Sequence, residues 1–208
     1  MNKQCENLEK CKRLAETEKS HDIGIYGDKK QCQSEKCATY NLDFYESVER
    51  AFYPYGEQKR HPHQHRVRKT AYEKYKEEVV KLKKEIMNAK DFDDILRIVS
   101  FGKKGNSQEK IKYIGELTEY DIAFRIGKCY GKCPDNLYLH AGTEEGAKKA
   151  GIDTKGIGSI ERKEIPLELD FLRNAPMCQI ENFLCVCKCN PTEDSFKCYK
   201  ELYIKNKR

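Results

Sequence analysis

An all-α fold is what this sequence predicts. Apolar residues recur at steps of three and four in several stretches, Asp and Thr stand where helix caps are needed, and no stretch alternates apolar with polar residues as a half-buried strand does. From Asn41, LDFYESVERAFYPYG sets Leu42, Tyr45, Val48 and Phe52 on one face of a helix that must stop before Pro54. A loop, GEQKRHPHQHRVRK, follows. Between Arg66 and Ala89 the apolar positions Ala71, Tyr75, Val79, Leu82 and Ile86 predict one long amphipathic helix with Lys and Glu outside. Asp91, with Asp94 three residues on, caps a short helix that buries Phe92, Ile95, Leu96 and Val99 and ends at Gly102.

After the loop KKGNSQEK, Thr118 with Asp121 predicts a capping box and a helix burying Ile122, Ala123 and Ile126. LYLHAGTEEGAKKAGI is an apolar approach and another helix, and GIDTKGIGS is a flexible Gly-rich link. PLELDFLRNAP and MCQIENFLCVCK are two more helices. The expected organisation is a polar, Cys-containing appendage over residues 1–40, a helical domain over 41–188, and a Cys-containing basic tail over 189–208.

Charged residues make up 36% of the 208 and hydrophobic ones 38%, so the core is modest and the surface highly charged. No window approaches the roughly 18 continuous apolar residues of a membrane span, and the charged N-terminus has no apolar signal core. A cytoplasmic protein without membrane contact is expected. An odd count of 11 cysteines argues against a disulfide framework and leaves ordinary buried thiols or metal ligation. Cys5, Cys11, Cys32 and Cys37, with His21, lack a Cys-x2-Cys knuckle, and Cys129-x3-Cys133 is most simply a turn.

The net charge of +6 is concentrated. Lys59–Lys90 holds 11 Lys/Arg against 4 Asp/Glu, a local charge of +7. Such a stripe suits a phosphate-bearing partner, DNA or RNA, although a solvated helix face would also explain it. Within it, His61, His63 and His65 alternate beside Arg60, Arg66, Arg68 and Lys69. Pro62 disfavours helix, so the three rings of an extended loop could meet phosphates, bind a divalent metal, or simply pack.

The stretch KYIGELTEYDIAFRIG resembles the helix-hairpin-helix of the base-excision DNA glycosylase superfamily, endonuclease III type. Ile114, Gly115, Glu116, Leu117 and Thr118 match the second half of the motif, and Tyr113 stands where its first glycine is usual. Gly115 permits a tight hairpin, and Thr118 caps a helix whose N–H groups and dipole hold a phosphate. The resemblance implies a glycosylase-like helical fold and a catalytic turn about 20 residues beyond the hairpin. That position falls on His140, with Glu144 close by, instead of on the family's aspartate. Leu117 replaces the lysine of lyase-type members, so neither a fixed carboxylate nor a Schiff base is supplied. Some members carry an iron–sulfur cluster after this region. Cys178-x6-Cys185 fits its first gap, whereas Cys187, Cys189 and Cys198 do not fit the later ones. No cofactor is expected, with iron–sulfur or zinc as the alternative. Residues 43–188 also resemble a widespread bacterial protein family with no assigned activity, through RHPHQHRV, IGELTEYDIAFRIG, YLHAGTEEGAKKAGI and IENFLCVCK.

Three functions are consistent with these residues. The first is a nucleic-acid-binding module, in DNA repair or processing, that contacts phosphates through Gly115, Thr118, Arg60, His63, Arg66, Arg68 and Lys69. The second is a base-modifying or repair enzyme using His140 or Glu144, with Tyr120 or Tyr138 to stack a flipped base. The third is a helical protein–protein adaptor.

Overall fold

The computed structural model describes residues 42–54, 58–103, 107–149, 152–165 and 177–187. These are mostly helical, and the described residues from 42 to 134 and those from 135 to 187 belong to different compact units. The expected helix at 166–176, the appendage at 1–40 and the cysteines of the tail lie outside the described residues.

In the first unit, α1 (Phe44–Phe52) starts at Asp43, whose side chain accepts the Glu46 N–H while Glu46 accepts that of Asp43. This reciprocal box satisfies two of the donors that a helix start leaves open. Phe44, Val48, Ala51 and Phe52 are buried, whereas Tyr45, expected inside, is 55% exposed. The long helix expected from Arg66 is two: α2 (Lys69–Lys81) and α3 (Lys83–Asn88), divided at Leu82. No Gly or Pro marks that break. Leu82 is buried along with Val79 and Ile86, so the apolar period runs through it unchanged.

Asp91 caps α4 (Phe92–Val99) as expected, its side chain accepting the Asp94 N–H at 2.8 Å. The helix stops at Val99, short of Gly102. Helix α5 (Glu116–Cys129) packs against α1 and α4 and buries Ile122, Ala123 and Ile126 completely. Two buried tyrosines of α2 tie the helix ends together. Tyr72 donates its hydroxyl to the carbonyl of Phe52, the last residue of α1, and Tyr75 to that of Val99, the last of α4. Both carbonyls are C-terminal acceptors with no partner inside their own helices. The rings pack on Phe52, and Tyr75 also meets Phe101 edge-on.

The second unit contains a two-stranded antiparallel sheet, which sequence alternation does not reveal. In it β1 (Leu137–Tyr138) pairs with β2 (Ser159–Ile160), and two residues are too few for a period of two to show. The Gly-rich link expected to be flexible therefore leads into a strand. Helices α6 (Ala141–Lys149) and α7 (Met177–Cys187) pack against each other, and α7 also covers β1. They approach closely at Gly146, where a Cβ would sit 1.9 Å from the Leu184 carbonyl oxygen. Only glycine fits that crossing.

Candidate functional site

Two parts of the sequence singled out independently, the basic loop and the segment from Tyr113 into α5, meet in space. Gln64 donates its N–H to His61 O and Val67 to Gln64 O, so Pro62–Gln64 forms a 3-10 turn in place of the expected extended chain. The turn brings the rings of His61 and His63 edge-to-face at 4.5 Å and sends His65 elsewhere, to the carbonyl of Arg60 at 3.0 Å. Arg60 is used in building the loop. Its guanidinium donates to the Gln64 and Val67 carbonyls and lies over the Tyr72 ring. Arg66, Arg68 and Lys69 are exposed.

Arg68 stacks its guanidinium 4.2 Å above the ring of Tyr113, and Lys112 approaches the same ring at 5.2 Å. Tyr113 is 47% exposed and has a positive φ of 75°. It is the third residue of a turn closed by the Ile114 N–H on Ile111 O at 3.1 Å. A left-handed conformation is costly for a bulky residue. Tyr113 adopts it nonetheless, and the Arg68 and Lys112 cations against its ring help to hold it there.

The cap expected at Thr118 is a correction. Gly115, extended at φ −106° and ψ 169°, is the N-cap, and Thr118 is the buried third residue of α5. Asp121 faces the histidine turn instead of closing a capping box. The first turn of α5 carries Glu116 and Glu119, paired with Lys103 and Lys110, so two carboxylates already complement its dipole. Gly115 itself is exposed with open space around it, which suits close approach of a ligand to the backbone.

Asp121 is the residue that sequence reasoning missed. Its Oδ2 takes a hydrogen bond from Gln64 Nε2, lies 3.4 Å from Arg125 Nη2 and 3.4 Å from His63 Nδ1. Burial pushes its carboxyl up, but the Arg125 charge and the His63 hydrogen bond and charge outweigh that and hold it below the usual carboxylate value. Arg125, itself buried, also donates to Ala51 O at 3.0 Å and to Gln64 Oε1. A signal existed only in part, because Asp121 lies one helical turn before Arg125, whereas its 57-residue separation from Gln64 hides the rest.

In the second unit His140 is nearly buried and its Nε2 lies 2.5 Å from Glu181 Oε1 on α7. The Thr143 hydroxyl is 3.2 Å from the same nitrogen. Glu144, the other expected catalytic residue, pairs with Lys148 at 2.5 Å. Tyr120 is buried against Phe92 and Phe124, and so is no stacking platform. Among the described residues no helix is long and apolar enough to cross a membrane. Comparison with protein-family models, with curated proteins and with solved structures finds no match to this chain.

Proposed function

We propose that the chain binds the phosphate backbone of nucleic acid through Arg66, Arg68, Lys69 and Lys112, of which Arg68 and Lys112 lie against the exposed ring of Tyr113. The observation that carries this is the Arg68–Tyr113 stack, which joins the basic segment to the turn before α5. Cations set around an aromatic face suit a phosphate with a neighbouring base, and the open backbone at Gly115 lets a strand come close. In this role the turn does what the hairpin of the glycosylase superfamily does, and a distant relationship to that superfamily is part of the proposal. The protein would act on DNA or RNA in the cytoplasm, where its cysteines stay reduced.

Anisotropy titrations of labelled duplex and single-stranded DNA at several salt concentrations test it. Each neutralised phosphate adds about 0.9 to the slope of log K against log salt on duplex DNA. Reversing Arg66 and Arg68 to Glu is expected to remove about two such contacts. An affinity indifferent to salt and to both substitutions would favour the protein adaptor.

An enzymatic role has one observation in its favour, the 2.5 Å contact of His140 with Glu181. A carboxylate so placed orients an imidazole, which the lone histidine of the sequence could not promise. Loss of activity with unchanged DNA affinity in His140→Asn would support it.

A further inference from the structure

We infer that His61, His63 and Asp121 form a binding site for a divalent transition cation of the zinc class. One donor atom from each of the three lies within 4.8 Å of the others. His63 Nδ1 and Asp121 Oδ2 are already 3.4 Å apart. With metal–nitrogen and metal–oxygen bonds of about 2.0–2.1 Å, donors at the corners of a tetrahedron stand about 3.3 Å apart. The pair thus has the spacing of two ligands, and closing the third from within 4.8 Å to that spacing takes a shift of up to about 1.5 Å.

The donor set selects the ion. Two imidazoles and one carboxylate suit zinc and its neighbours in the transition series, whereas magnesium and calcium take oxygen ligands. Three protein ligands leave a fourth tetrahedral position for water or a ligand oxygen. The surroundings hold the donors as supporting groups do at metal centres. Gln64 and Arg125 fix the carboxylate through Oδ2. Gln64 is fully buried, and its amide bridges Asp121 to Arg125. His65, the third histidine of the loop, is not part of the site.

Zinc titrated into the full-length chain, followed through the ring-nitrogen resonances of its histidines, tests the site. His61 and His63 are expected to shift together and to saturate with one ion, while His65 and His140 stay still. His63→Ala removes an exposed ring and should keep the fold. The His61 response should then require about tenfold more zinc or be lost. Asp121→Asn, which preserves size, should weaken it likewise. Cysteines also take zinc, so cobalt is the second probe. The difference spectrum between parent and His63→Ala should contain ligand-field bands without the thiolate charge-transfer band. Silent His61 and His63 rings, or a response that survives both substitutions, would overturn the site.

Discussion

His63 and His140 each lie against a carboxylate, and the two pairs are built for different ends. His63 is 46% exposed, and its partner Asp121 is already balanced by the buried Arg125. His140 is only 10% exposed and meets Glu181 at 2.5 Å between two packed helices. A carboxylate with its own guanidinium does not depend on its histidine for balance. A carboxylate that leans on an imidazole does need it, and the pair braces α6 against α7. The same two residue types thus give an open site in one unit and a cross-link in the other.

The largest difference between the units should appear in alkali. Burial raises the Tyr72 and Tyr75 phenols above their ordinary value, and burial with the Glu73 hydrogen bond raises Tyr53. The folded state holds these groups neutral, so their contribution to stability is complete below the ordinary phenol value of about 10 and is lost as pH rises beyond it. All three belong to the first unit, and Tyr138 is the only tyrosine among the described residues of the second. Hydrogen exchange across rising pH should therefore show α2 and α5 opening before α6 and α7. Simultaneous opening would mean that the units do not respond separately.

Next in size is Arg125→Met. It leaves Asp121 facing inward without its guanidinium, and removing one partner of a buried pair costs about 3–5 kcal/mol. Urea denaturation reads this directly. A loss below about 1 kcal/mol would show that Asp121 is balanced from elsewhere, and the contrast between the two pairs would fail.

His140→Asn should cost less, about 1.5–3 kcal/mol, the worth of a hydrogen bond to a charged group together with exposure of Glu181 to an imperfect partner. The loss should be matched by Glu181→Gln and should not add to it in the double variant. Unchanged stability in both would remove the bracing role and leave the short contact to chemistry.

Legibility in the sequence followed the range of each interaction. The Asp91 cap and the buried face Ile122, Ala123 and Ile126 were readable because a cap and a helical stripe are local patterns. Thr118 was misread because Gly115, three residues earlier, could take the cap equally well, and the buried Thr118 was needed inside. The three histidines were conspicuous, but which two converge depends on a 3-10 turn, and their carboxylate lies on α5. Glu181 stands 41 residues from His140, while Glu144 was near in sequence and turned to Lys148. Sites assembled by packing leave only half their members visible in a local pattern.

The smallest effect expected is that of His63→Ala on stability, within about 0.5 kcal/mol, the lower part of the range for ion pairs reached by solvent. His63 gives Asp121 one of three polar contacts, and the other two, from Gln64 and Arg125, come from inside. An ion pair with a half-exposed histidine is screened by water and contributes little. Urea midpoints of the parent and His63→Ala should therefore coincide without zinc. With zinc in excess they should separate, because an ion that binds only the folded chain stabilises by RT ln(1 + [L]/Kd), about 2.7 kcal/mol at a hundredfold excess over Kd. Coincidence in both conditions would leave His63 as surface decoration. Separation in both would make it a brace like His140, and the distinction between the two histidine–carboxylate pairs would disappear.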